Sequence, residues 1–245
     1  MTDLVLDADA VARTAGLLCR RIDERFPGSG LSGVCRELDR ISALTRERAR
    51  WIGRPILTLR ILVAILLALI AAGLASTVVS LHRPKEPLEA FQFVQVLEAG
   101  INDVVLVGAG VFFLLTLETR IKRKRALEAI KELRAIAHII DMHQLTKDPE
   151  WVFAPGKEST LLPERSMSRF QVSRYLDYCS EMLSITGKLA ALYIQDFDDD
   201  VALAAVNEVE NLTTGLSRKI WQKLMILYAM GPEPTPEAPR GTSTG

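Results

Sequence analysis

The segment HIIDMHQLTKDPE, residues 138–150, holds the side chains of this sequence that are best suited to chemistry. Imidazole and carboxylate groups are common metal ligands. His138 and Asp141 stand at positions i and i+3, which places them on one helix face, as in the metal sites of helical bundles. His143 falls on a different face of the same helix. A metal or catalytic site would therefore require the helix to unwind here and a further ligand, such as Asp177 or Glu181.

The same residues also fit the end of a helix followed by a turn. A histidine near a helix C-terminus is favoured by the helix dipole, and Asp148 before Pro149 matches an N-cap followed by proline. The sequence contains no P-loop motif, and no strand signal precedes the G-x-G-x-x-G spacing of residues 28–33. We therefore expect no enzyme, no catalytic residue and no cofactor, with His138, Asp141 and His143 as weak candidates for a metal site.

The cysteines of the chain predict packing rather than cross-linking. Cys19, Cys35 and Cys179 are far apart in sequence and show no C-x-x-C spacing. An odd number of cysteines without regular spacing is typical of a reducing compartment. We expect all three to be small apolar residues of helices.

Two apolar segments predict membrane-spanning helices. Mean hydropathy is positive, and the apolar residues concentrate in 61–81, which carries no charge, and in 101–117. As a helix the first segment is about 31 Å long, which matches the hydrocarbon thickness of a bilayer. The second is shorter, so we extend it upstream and place the spans at about 61–81 and 97–117, joined by a short outer loop.

Each predicted span carries one patterned face. Small residues recur at every fourth position of the first span, where another helix could approach closely, either within the hairpin or from a second copy: Ala64, Ala68, Ala72 and Ser76. Polar residues share one face in the outer half of the second helix: Gln92, Gln95, Glu98 and Asn102. This polar face either rises out of the membrane into water or lines a wet vestibule between several copies.

Basic residues predict the orientation of the hairpin. Residues 46–60 contain five arginines and one glutamate, whereas residues 82–103 hold two basic and four acidic side chains. Lys and Arg beside a span stay on the cytoplasmic side, so we predict a plasma (inner) membrane protein with both termini in the cytoplasm. A basic run after the second span would control topology and contact anionic lipid headgroups rather than nucleic acid: Arg120, Lys122, Arg123, Lys124 and Arg125.

The remaining segments predict cytoplasmic helices. Helical segments occupy residues 7–26 and 31–51, and a coiled-coil-like apolar seam continues the second span to residue 140. Apolar positions at steps of three and four recur over 172–193 and 205–227. Ser166 or Ser168 can cap the first of these two helices, and the DFDDD run, residues 196–200, can cap the second.

The predicted fold class is an all-α membrane protein, a two-helix transmembrane hairpin with a cytoplasmic helical bundle. Its predicted parts are N-terminal cytoplasmic helices at 1–54, the hairpin at 55–118, a three-helix cytoplasmic region at 119–230 and a proline-rich, disordered tail at 231–245. In topology this architecture resembles the two-span effector domains of bacterial conflict systems, which pair a helical hairpin with cytoplasmic helices.

Two functions fit this architecture. The first is a membrane-anchored interaction, scaffolding or sensing module that binds a cytoplasmic protein partner. The second is an oligomeric subunit that forms a pore or perturbs the membrane, since a two-helix hairpin cannot enclose water alone. A homo-oligomer is expected in either case. The middle of neither span carries a charge, which argues against an ion-coupled transporter.

Overall fold

The computed structural model describes residues 5–82, 90–149 and 167–230, and the regular secondary structure of these ranges is entirely α-helical. The helices are α1 (Ala8–Arg25), α2 (Gly30–Gly53), α3 (Leu57–His82), α4 (Ala90–Leu145), α5 (Arg169–Leu192) and α6 (Asp200–Ala229). The second predicted span and the seam that follows it belong to one helix, α4, as the sequence predicts. Residues 83–89 of the predicted outer loop lie outside the described residues, and residues 90–96 belong to α4. The predicted disordered tail, residues 231–245, lies wholly outside them.

The chain divides into two compact units. One comprises Met1–Ala49 and Leu127–Gly245, and the other comprises Arg50–Ala126. We call them the bundle unit and the hairpin unit. The hairpin unit contains the end of α2, all of α3 and residues 90–126 of α4.

The bundle unit has a packed apolar core. The α4 seam is buried at Ile130, Leu133, Ala137 and Ile140, and α5 packs against both α1 and α6. Every predicted seam position of α5 is buried: Val172, Tyr175, Cys179, Met182, Thr186, Leu189 and Tyr193. The seam periodicity therefore predicted correctly which faces of α4 and α5 are buried.

The first half of α6 buries a different face from the predicted one. Val209, Leu216, Ile220, Leu224 and Leu227 are buried as predicted, but Ala205 and Leu212 are only half-buried. Val206 and Thr213, each one residue after a predicted position, are buried instead, as is Ala202, three residues before Ala205. Two stripes at helical spacing compete here, and the helices that pack against α6 decide between them.

Three helix starts are capped by local side chains. Asp7 accepts a hydrogen bond from the backbone of Asp9 at the start of α1, and Asp199 accepts one from Ala202 at the start of α6. Ser168 and Gln171 form a reciprocal capping box at the start of α5. The predicted caps at 168 and within the DFDDD run are thereby confirmed.

The expectation that all three cysteines are isolated is wrong for two of them. Cys19 and Cys35 form a disulfide between α1 and α2, with their Cα atoms 5.4 Å apart, and only Cys179 is free. The chain reverses at the turn between the two helices, where Gly28 has a φ of 69°, which glycine adopts without strain. This reversal brings together two cysteines that lie 16 residues apart in sequence.

Ion pairs also join the first two helices to the rest of the bundle unit. Glu132 on α4 pairs with both Arg40 and Arg48 of α2, and Glu181 on α5 pairs with Arg21 of α1. These pairs are partly exposed, so each contributes modestly, at most about 1 kcal/mol. The apolar core, rather than the surface charges, accounts for most of the stability of this unit.

The hairpin unit is apolar on its outside. Two of the described helices are long and apolar enough to cross a membrane by length and composition, and the apolar windows of these helices are not buried against the rest of the protein. The side chains of Leu69, Leu106 and Phe112 are 66%, 75% and 72% exposed. Large exposed apolar surfaces of this kind mark sites of contact with a membrane or with other proteins.

Candidate functional site

The structure separates the residues that the sequence proposed as metal ligands. His138 is exposed, whereas Asp141 and His143 are half-buried with different neighbours. Asp141 accepts a hydrogen bond of 2.6 Å from the Gln144 side chain, and Nδ1 of His143 lies 3.4 Å from the Tyr175 hydroxyl. In the part of the chain that is described, no group of three His, Cys, Asp or Glu side chains could hold a metal ion.

The further ligands that the sequence offered are engaged elsewhere. Asp177 pairs with Arg174 one turn earlier on α5 at 3.3 Å, and Glu181 pairs with Arg21. His143 packs closely on the start of α2, since a Cβ added to Gly30 would lie 2.4 Å from its Cε1 atom. His143 thus contacts both the α2 start and the α5 hydroxyl, which is a packing role.

A buried polar cluster at the end of α4 was missed at the sequence level. Gln144 and Lys147 are 1% and 2% exposed. The Gln144 backbone carbonyl accepts a hydrogen bond of 2.8 Å from Nζ of Lys223 on α6, and Nζ of Lys147 lies 5.1 Å from the centre of the Tyr175 ring. The sequence does indicate that these two residues are buried, because Gln144 and Lys147 continue the α4 seam by steps of four and three beyond Ile140.

Burial favours the uncharged forms of two groups in this cluster. It lowers the pKa of Lys223, an effect opposed by the nearby carboxylates of Asp148 and Asp141. Burial also raises the pKa of the Cys179 thiol to about 12, against the smaller opposing effect of Lys147 and Lys223. A thiol with this pKa stays protonated at neutral pH and is a poor nucleophile. The arrangement ties α4 to α5 and α6.

One acceptor in the cluster lacks a partner. Within the described ranges Oε1 of Gln144 is buried and accepts no hydrogen bond, while Nε2 of the same amide donates to Asp141. An unsatisfied buried acceptor costs about 1–3 kcal/mol. The end of α4 is therefore a locally unfavourable part of an otherwise well-packed unit.

A second polar site lies in the hairpin unit, where the basic run follows the second apolar segment. Glu118 accepts a backbone hydrogen bond from Ile56 at 3.4 Å and pairs with Arg60 at 3.5 Å and Lys122 at 2.9 Å. Lys122 also donates to the backbone carbonyl of Gly53 at 3.3 Å. These contacts join α4 to the end of α2 and the start of α3.

Arg125 completes this junction. Its guanidinium lies 3.8 Å from the centre of the Trp51 ring and donates to the Trp51 carbonyl at 3.5 Å. Lys122 and Arg125 thus satisfy carbonyl groups in the last turn of α2, which have no partner within their own helix. Two of the five cations that the sequence assigned to lipid and topology are therefore held by the protein itself.

The patterned faces of the two apolar helices point away from their partner where they are described. Ala64, Ala68 and Ala72 are exposed, and Leu66 instead approaches α4, 3.6 Å from where a Cβ on Gly110 would lie. Glu98 and Asn102 are also exposed. The side chains of Ser76, Gln92 and Gln95 lie outside the described part of the structure.

Comparison of the chain with protein-family models, curated proteins and solved structures found no match.

Proposed function

We propose that this protein is a membrane-anchored helical interaction or scaffolding module of the plasma (inner) membrane, without catalytic activity. The observation that carries the proposal is the contrast between the two units. The bundle unit buries its apolar seams in a core, whereas apolar side chains of the hairpin unit are exposed on the described parts of both helices. Exposed apolar helices of this length are stable in a bilayer and unstable in water.

Anchoring is tested by extraction and by topology. We expect the full chain to stay with the membrane pellet in alkaline carbonate and to enter solution only with detergent. Substitution of Ile65 and Leu69 in α3 together with Leu106 and Phe112 in α4 by Lys should release it into the carbonate supernatant. The same change at four exposed positions of the bundle unit should not: Leu17, Ile139, Met142 and Leu145. Release of the unmodified chain by carbonate would contradict the proposal.

The two sides of the membrane are assigned by the arginine-rich flanks, which place both termini in the cytoplasm. The Cys19–Cys35 disulfide is a feature more typical of an oxidising compartment. Reporter fusions at each terminus test whether the termini lie in the cytoplasm or in an oxidising compartment. A cytoplasmic reporter should be active at both ends, and activity of a periplasmic reporter at either end would overturn this orientation.

An apolar stripe on the bundle unit supports an interaction role. Trp221, Met225 and Tyr228 stand at steps of four and three on α6 and are 61%, 51% and 67% exposed. Aromatic and methionine side chains are enriched where proteins bind one another. A partner that covers this stripe would remove three large apolar side chains from water.

Self-assembly into a pore is the second candidate, favoured by the exposed Ala64, Ala68 and Ala72 face of α3. A photo-crosslinking residue at position 221 tests the interaction stripe, and one at position 68 tests self-assembly through α3. Position 219, exposed on the other side of α6, is the matched control for position 221. Crosslinks between copies at 68 would support an assembly through the membrane helices. A strictly monomeric protein in native membranes would exclude the pore.

A further inference from the structure

We propose that Arg50, Arg54 and Arg120, which lie near one end of the hairpin unit, bind the phosphate groups of anionic lipids. This inference rests on the proposed membrane anchoring and adds to it a lipid class and three residues. It differs from the expectation that the whole basic run of residues 120–125 contacts lipid, because, in the part of the chain that is described, Lys122 and Arg125 are bound by protein groups whereas Arg120 is not.

The contacts around Glu118 show which part of α4 lies beside the segment 51–60. Residue 118 of α4 meets residues 56 and 60, residue 122 meets residue 53, and residue 125 meets residue 51. The segment 118–125 therefore runs antiparallel to 51–60 over about 11 Å, at 1.5 Å per residue. A headgroup layer is about 5–8 Å thick on each side of a bilayer, so this band is long enough to cross that layer.

Within this band one group of cations already has protein partners. Arg60 and Lys122 pair with Glu118, and Arg125 stacks on Trp51 and donates to its carbonyl. These contacts compensate the charge of the three cations in part and hold the helices together. The Lys122 side chain is 12% exposed, whereas that of Arg60 remains 61% exposed.

The other group has no such compensation. The side chains of Arg50, Arg54 and Arg120 belong to exposed residues and have no hydrogen-bond or ion-pair partner within the described ranges. Arg50 and Arg54 stand four residues apart, and the backbone N–H of Arg54 still bonds to the carbonyl of Arg50, so both extend from one side of the α2 end. A guanidinium presents a planar pair of donors that matches the oxygens of a phosphate.

The apolar neighbours of these arginines favour a lipid over other anions. Leu57 and Ile61, which follow directly on α3, are 67% and 58% exposed. A lipid places a phosphate and a hydrocarbon chain on adjacent parts of this surface, so both the cations and the apolar side chains gain a partner. A nucleic acid or a free phosphate would leave the apolar side chains in water.

The test compares lipid retention by the full-length protein in mixed micelles of phosphatidylglycerol and phosphatidylcholine. In native mass spectrometry we expect the wild type to prefer phosphatidylglycerol by about 100-fold over three sites, which corresponds to roughly 3 kcal/mol at 1.4 kcal/mol per factor of ten. The triple variant Arg50→Gln, Arg54→Gln and Arg120→Gln should lose most of this preference.

A second triple variant supplies the control. Arg20, Arg218 and Lys219 are exposed and, like the proposed triad, have no ion-pair partner within the described ranges. Their replacement by Gln changes net charge equally, and we expect the preference to remain at the wild-type level. Circular dichroism of both variants checks that each retains its helices.

The outcomes separate this inference from the proposed function. An unchanged preference in the Arg50, Arg54 and Arg120 variant, or an equal loss in both variants, would overturn the lipid surface even if the protein resists carbonate extraction. Extraction of the wild type by carbonate would overturn the membrane proposal itself.

Discussion

Reduction of the Cys19–Cys35 disulfide should destabilise the bundle unit. The disulfide closes a loop across a sequence separation of 16 residues, and a loop of this length restricts the unfolded chain by about 3 kcal/mol in the chain-entropy model. For a unit of 150–250 residues each kcal/mol shifts the unfolding midpoint by about 2–4 °C. We therefore expect the midpoint to fall by roughly 6–12 °C when the disulfide is reduced.

The assay is thermal unfolding in mild detergent, followed by far-ultraviolet circular dichroism, for protein purified throughout with or without a phosphine reductant. The double variant Cys19→Ala and Cys35→Ala should show no response to the reductant. The single variant Cys179→Ala should respond as the wild type does, because Cys179 is not part of the disulfide.

Counting thiols supplies an independent check. In denaturant without reductant one thiol should react, that of Cys179, and with reductant three should react. Three reactive thiols in the unreduced, denatured protein, or equal midpoints with and without the reductant, would refute the reasoning. The former result would show that α1 and α2 are held by packing and ion pairs alone.

Further predictions concern the bundle unit. Burial raises the pKa of Cys179 from 9.0 to about 12, so the unfolded state loses this proton at a lower pH than the folded state does. The free energy of unfolding, measured with denaturant, should therefore fall as pH rises from about 9 towards 12. The Cys179→Ala variant should lack this pH-dependent loss. Native protein at pH 8 should resist maleimide labelling at Cys179 until it unfolds. Replacement of Gln144 by Met removes a buried unsatisfied acceptor and one hydrogen bond, so the free energy of unfolding should change by less than about 1.5 kcal/mol; a loss above 3 kcal/mol would show that Oε1 is satisfied. Leu133→Ala should cost about 2–5 kcal/mol since Leu133 is fully buried, whereas Leu145→Ala, at a 59% exposed position, should change stability by less than about 0.5 kcal/mol. Similar losses at both positions would contradict the burial of the α4 seam.

The helices and their caps could be predicted because they depend on local interactions. A run of apolar residues without charge forms α3, and Ser168 and Asp199 bond to backbone groups only three residues away. Seam positions at steps of three and four identify the buried face of α5 from its sequence alone. Such features need no knowledge of which other helix lies nearby.

The candidate site could be predicted only in part. The sequence drew attention to the end of α4, but the histidines that prompted this interest do not meet there. The residues that do enter the core are Gln144 and Lys147, in the same register as the apolar seam. His and Asp suggested a site because they are common metal ligands. Burial, however, depends on whether a residue continues the three- and four-residue spacing of the apolar seam.

Sequence alone determined that this chain forms helices, where most of them begin and end, and that two of them carry long apolar segments. Tertiary structure alone decided that Cys19 faces Cys35, that α6 buries Val206 rather than Ala205, and that Lys122 and Arg125 bind the end of α2. The physical reason is that hydrogen bonds and apolar periodicity within a helix span three or four residues. The pairing of distant side chains, in contrast, depends on which helices pack together and in which register.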